Sequence, residues 1–240
     1  MQAHGGGGVN PIAAAASALL SEVGATVKCA VWTPFDTGTL YQDTGETTAV
    51  GAGDPVRVMK DQTANGLDLI APSDAARPLA TNGLTWDGSA DRMRLDPEFP
   101  NLSFQSSAFF VVKTTQAQGM MMSTTDPANR FSGTFSDGSA SATSLQSGTT
   151  AEIVDGVTVT STRDGLHTAI ADGSWHVVEI QCELNGYNDI TFGTYANSPA
   201  GWYMTGGFIP IAVIDRSAVS DVAATRAAAK AYGDAIIASL

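Results

Sequence analysis

The chain has 240 residues, 43% hydrophobic and 15% charged, and its 24 acidic against 12 basic side chains give a net charge of −12. That is enough apolar material for one sizeable core, and 25 glycines among short apolar runs favour many tight turns over long helices. An acidic surface repels phosphate backbones, so nucleic acid is not expected as a partner; two cysteines, Cys29 and Cys182, make no disulfide framework, and two buried free thiols are expected over the one bridge that is arithmetically possible.

Met1 to Val9, with four glycines from Gly5 to Gly8, reads as a flexible arm without the basic region of a secretion signal. The apolar run Ile12–Leu20 is too short and too rich in alanine to span a bilayer, so no membrane partner is expected and assembly is expected in the cytoplasm. Asn10 is placed as an N-cap and Pro11 at the first helical position, which predicts a helix through Val23 with Gly24 as its stop. Ile12, Ala15, Leu19 and Val23 share one face. A short alanine-rich helix is marginal alone and must pack on its own domain or on a neighbouring subunit. With the arm ahead of it, the stretch 1–24 is read as an assembly anchor, with Asn10, Pro11, Ile12, Leu19 and Leu20 as contact residues.

The rest, 25–240, reads as one β domain. Val27–Trp32 is the first predicted strand. From Val31 to Leu95, short apolar pieces alternate with turns such as Asn65-Gly66 and Asp87-Gly88, whose glycines supply positive φ. Ser107–Lys113 is a continuous apolar run expected at the centre of a sheet. Gly119–Ser123 and Phe131–Phe135 form a predicted strand pair, 137–150 a polar surface loop, and Glu152–Val154 with Val157–Thr162 a hairpin about Asp155-Gly156. From His176 onward, a period of two sends His176, Val178, Ile180, Cys182 and Leu184 to the core and Glu179, Gln181 and Glu183 to solvent. Asp189–Thr194 and Gly206–Asp215 are the last strands. Ser220 then caps a helix within 220–239, with Val222, Thr225, Ala229, Tyr232, Ile236 and Leu240 on one face and a stop signal at Ala231-Tyr232-Gly233.

The order of three pieces carries a resemblance. The first runs from Trp32-Thr33-Pro34-Phe35-Asp36 through Leu40–Thr44, Gly53–Val56, Lys60–Gly66 and Ala76–Leu79 to Leu84-Thr85-Trp86-Asp87-Gly88. The second is Asp172-Gly173-Ser174-Trp175-His176-Val177-Val178. The third is Ile214-Asp215-Arg216-Ser217-Ala218-Val219-Ser220-Asp221, with Val219 where leucine is usual. Together they resemble the laminin-G-like, concanavalin A-like lectin/glucanase domains carried by structural proteins of tailed phages and prophages. The resemblance implies an all-β fold: a two-sheet antiparallel jelly-roll sandwich with a short N-terminal and a C-terminal helix. It further implies a virion location, other virion subunits as partners, and a homo-oligomer such as a trimer. Because this fold hosts lectins, hydrolases and scaffolds alike, it does not by itself imply sugar binding.

Three kinds of site bear on function. Sandwich glycosidases carry Glu-x-Asp-x-Glu on one strand, with two carboxylates flanking the scissile bond. Here Glu179-Ile180-Gln181-Cys182-Glu183 has an uncharged Gln181 at the middle position, so no catalytic residue is expected. Glycan or partner contact is assigned to Trp202 and Tyr203 in one loop and to Asn185, Tyr187 and Asn188 in another, since aromatic faces beside amides suit either ligand. Calcium at the sandwich rim, which the resemblance allows, would use the loop carboxylates Asp61, Asp87 and Asp91. The three histidines, His4, His167 and His176, form no metal-protease or paired-cysteine signature, and no phosphate-binding glycine loop is present. The expected function is a non-enzymatic virion protein: a head decoration, spike, fibre or tail-associated subunit with a lectin-like face. A carbohydrate-binding module for host-surface glycan and a glycoside hydrolase are the alternatives.

Overall fold

The computed structural model describes residues 10–24, 28–81, 83–97, 102–124, 132–137, 149–160, 162–187, 190–194 and 202–240. Helix α1 (Pro11–Val23) forms where its caps predict: the Asn10 side chain accepts from the Ile12 amide at 3.0 Å, and Gly24 closes the helix at φ 70°. Strands β1 (Cys29–Val31), β2 (Leu40–Tyr41), β3 (Val58–Met59), β4 (Asp68–Ile70), β5 (Thr85–Asp87) and β6 (Met93–Asp96) are short, as the turn-rich block requires. The long strands are β7 (Leu102–Lys113), β12 (His176–Tyr187) and β14 (Thr205–Asp215). Between and around them run β8 (Gln118–Thr124), β9 (Ser132–Ser136), β10 (Thr149–Val154), β11 (Val157–Thr158), β13 (Ile190–Phe192), α2 (Arg163–Ile170) and α3 (Val222–Ile237).

Among the described residues these strands form two seven-stranded antiparallel sheets. The first has the order β1-β14-β7-β12-β10-β11, with β5 also paired to β14; the second has the order β2-β3-β4-β6-β13-β8-β9. The inner faces meet through aromatic rings. Phe192 of the second sheet packs edge-on against Trp32 at 5.7 Å and Phe110 at 5.9 Å, and Phe110 stacks on Phe208. No helix among the described residues is long and apolar enough to cross a membrane.

The outer face of the first sheet is covered by α3, and α1 lies on α3. This layer explains the unbroken apolar run of β7. Phe110 faces the second sheet while Phe109 and Val111 face the helix, so both faces are buried. Gly233 sits at the closest approach of α3, where an added Cβ would stand 2.7 Å from Val177. The helix therefore runs through Ala231-Tyr232-Gly233 instead of stopping there. Its N-cap is Asp221, which accepts from the Ala224 amide at 2.9 Å, and not Ser220. Tyr232 anchors it by donating to the Trp32 carbonyl at 2.7 Å.

Other expectations shift. The β10–β11 turn has Asp155 at φ 53° and Gly156 at φ 88°, the hairpin geometry the dipeptide predicts, but β11 ends at Thr158. Helix α2 was not foreseen: its sequence RDGLHTAI offers only Leu166 and Ile170 as fully buried apolar residues, and Thr162 caps it. The stretch 138–148 of the expected 137–150 loop lies outside the described residues, whereas Thr149 and Thr150 already belong to β10. Cys29 and Cys182 are separate buried thiols, and burial pushes both up to about 12. In α1, Leu19 and Val23 are fully buried, Ile12 and Leu20 pack partly against the core, and Asn10 and Pro11 remain exposed at the cap.

Candidate functional site

Strand register decides which of the sequence-selected residues share an end of the sandwich. His176 pairs with Val112 and Gly207 with Lys113, so the start of β12, the end of β7 and the start of β14 lie together. Trp202 and Tyr203 precede β14 at this rim. Asn185 and Tyr187 lie at the other end of β12, opposite Ser103 and Leu102, about 30 Å of strand away. Their side chains, and Asn188, fall outside the described residues. Asn185 and Tyr187, expected in a loop, belong to β12 and do not share a site with Trp202 and Tyr203.

At the Trp202 rim, a loop carrying Gln116 acts as a brace. The Gln116 side chain donates to the Tyr203 carbonyl at 3.0 Å and accepts from the Thr205 amide at 2.8 Å. Arg163, the first residue of α2, lays its guanidinium over the half-buried Trp202 ring, 5.5 Å from the centroid. One turn further along α2, His167 stacks on Phe135, and its Nε2 stands 3.1 Å from the Gln116 carbonyl. A carbonyl only accepts, so Nε2 is the donor in this contact, and in the tautomer this selects the lone pair falls to Nδ1. Asp137, directly after β9, and Asp164, three residues before His167, bring their carboxylates to it. The ligand atoms of Asp137, Asp164 and His167 all lie within 4.8 Å of one another, the one such set of three among the described residues. These could hold a metal. Sequence reasoning missed them because the signal is the i, i+3 spacing of Asp164 and His167, legible only once 163–170 is known to be helical.

The proposed calcium ligands do not fit that role. Asp61 sits beside Trp32 near the middle of the first sheet's edge, whereas Asp87 pairs with Thr205, about 20 Å of strand away. Asp61 is buried and fully engaged by its own chain: it accepts from the amides of Val31, Thr63 and Leu67 and from the Thr63 hydroxyl. Asp87 accepts from Ser89 and Ala90. Asp91 accepts from the Asp87 amide, and burial pushes its carboxyl up to about 6, which opposes the charged form a calcium ligand needs. All three are structural turn residues.

Glu179 corrects the expectation of a solvent-facing Glu-Gln-Glu row. It is buried beneath α3, where Arg226 pairs with it through Nε at 2.7 Å, and it also accepts from Ser107 and Gln181. The Glu183 side chain lies outside the described residues. His176, expected in the core, is only partly buried and is satisfied at the strand end: Nδ1 meets Asp155 at 2.7 Å and Nε2 meets Asp172 at 3.0 Å.

The geometry defines a two-sheet β protein with a helical layer and a polar, aromatic rim. Comparison with family models, with curated proteins and with solved structures finds no match to this chain.

Proposed function

We propose that this chain is a non-enzymatic structural protein of a phage or prophage virion, a lectin-like jelly-roll sandwich that works as a homo-oligomer. In this reading it touches a carbohydrate-bearing host surface through the rim at Trp202 and Tyr203. The carrying observation is the Trp202 platform. Its ring is half-buried and held in place by Arg163, and the adjoining chain is pinned by Gln116, so an aromatic face is pre-ordered at a sheet end. Support also comes from the order of sequence pieces that resemble laminin-G-like domains and from two antiparallel sheets of matching class.

A hydrolase reading has less in its favour. Glu179, its first candidate carboxylate, is committed to Arg226, Ser107 and Gln181 under a helix.

The test is a glycan array with calorimetry on hits, using wild type and Trp202→Ala. The reading expects at least a tenfold loss in the variant and no glycan hydrolysis by either protein. A wild type that binds no glycan, or a variant that binds as well, removes the rim from the proposal. Light scattering on the full chain and on a chain starting at Asn10 tests oligomerisation. This truncation retains α1 and its cap, so lost assembly would not reflect a lost helix.

A further inference from the structure

We propose that Asp137, Asp164 and His167 bind one divalent transition-metal ion of the zinc class at the rim. The three donors come from two elements that pack on each other, the end of β9 and α2. One imidazole with two carboxylates is a borderline donor set that suits zinc, cobalt or manganese. Calcium is poorly served, because it asks for six to eight oxygens. Two carboxylates and a neutral imidazole also balance a doubly charged ion almost completely.

The orientation of His167 is the independent observation. A metal-binding histidine characteristically donates its other ring N–H to a carbonyl or carboxylate, which fixes tautomer and ring angle. Here Nε2–H donates to the Gln116 carbonyl, which belongs to none of the three ligands, while Phe135 holds the ring plane. The carbonyl is itself fixed, since the Gln116 side chain is tied to Tyr203 and Thr205. The nitrogen left with a lone pair is Nδ1.

His176 makes the contrast. Each of its nitrogens already meets a carboxylate, at 2.7 and 3.0 Å, so its ring shares protons and offers no free lone pair. At the His167 set, separations of up to 4.8 Å leave room for an ion. Two ligands on one tetrahedral ion with bonds of ~2.0–2.2 Å stand roughly 3.4 Å apart. Rotation of the exposed Asp137 side chain closes the difference.

The experiment is calorimetric titration of Zn²⁺ into the full chain, paired with Co²⁺ titration read by visible absorption. No glycan is present, so the outcome is independent of the function proposed above. One ion per chain is expected. His167→Ala and Asp137→Asn should each weaken binding at least tenfold, and His167→Ala should change the Co²⁺ spectrum. His4→Ala should bind as wild type, and a tenfold excess of Ca²⁺ should not displace Zn²⁺. Asp137 is exposed, so its variant keeps the fold, which near-ultraviolet circular dichroism checks. Failure of the wild type to bind Zn²⁺ stoichiometrically would overturn the proposal. So would unchanged affinity in His167→Ala, loss of binding in His4→Ala, or displacement by Ca²⁺.

Discussion

Arg226 on α3 grips Glu179 on β12, its Nε standing 2.7 Å from one carboxylate oxygen and 2.9 Å from the other. This pair joins the helical layer to the sheet. Arg226→Met leaves a buried carboxylate with only neutral donors, Ser107 and Gln181. Breaking a fully buried pair costs about 3–5 kcal/mol. The Arg226 side chain is 35% exposed, so water screens part of this, and a loss of about 2 kcal/mol is expected in urea unfolding. The double variant Arg226→Met, Glu179→Leu should recover most of it, because neither charge then remains buried.

Glu152 faces the sandwich interior opposite Ile180, fully buried, and neither carboxylate oxygen has a hydrogen-bond partner among the described residues. Burial pushes its carboxyl from 4.5 up to about 8. The folded protein therefore keeps a proton that the unfolded chain releases above about pH 4.5. Stability should be full below that pH and fall by up to about 1.4 kcal/mol per unit until the group ionises near pH 8. Glu152→Met removes this slope. The variant should match or exceed wild type at neutral pH and lead by a few kcal/mol at pH 8, as measured by chemical denaturation across pH.

His176 gives a slope of the same sign for a different reason, because here the charged form is the one the fold favours. Burial lowers its proton affinity, but the hydrogen bonds its ring donates to Asp155 and Asp172 outweigh burial and hold it above the ordinary histidine value. A raised histidine contributes stability below its unfolded value near pH 6.5, and the contribution is lost as pH rises through the folded value. The melting temperature of wild type relative to His176→Gln should therefore be about 2 °C higher at pH 6 and converge at alkaline pH. A difference that grows with pH would sink this assignment.

Helix α1 belongs to the core of its own chain. Leu19→Ala opens a cavity beneath it and should cost about 2–5 kcal/mol, and Asn10→Ala, which removes the cap, about 1 kcal/mol. Both are read by urea denaturation. Pro11→Ala, at a position without a helical N–H to satisfy, should change stability by less than either.

The legible parts of the fold were those with local causes. Asn10, Pro11 and Gly24 bound α1 through capping chemistry that acts within four residues, and Asp155-Gly156 set its hairpin through positive φ. The alternation along β12 correctly sent Val178, Ile180 and Cys182 inward. It misread Glu179 because a period of two tells the two faces apart but does not say what covers the second. Helix α2 escaped notice because Leu166 and Ile170 are too few to give a periodic signal, and packing under β9 and β10 supplies what propensity does not.

The metal-site candidate shows the same division. Asp164 and His167 are neighbours by helical spacing, but Asp137 lies 27 residues upstream of Asp164 and arrives only because β9 packs on α2. Register likewise separated Trp202 from Tyr187, and Asp61 from Asp87, residues that look equivalent on the chain. By itself the sequence determined an acidic, turn-rich β chain with a capped helix near its start and a second helix near its end, because these properties depend on composition and short-range geometry. Tertiary structure alone decided which side chains meet at the rim, which strand is buried on both faces and which carboxylates lose their water, because each depends on contacts between residues far apart in the chain.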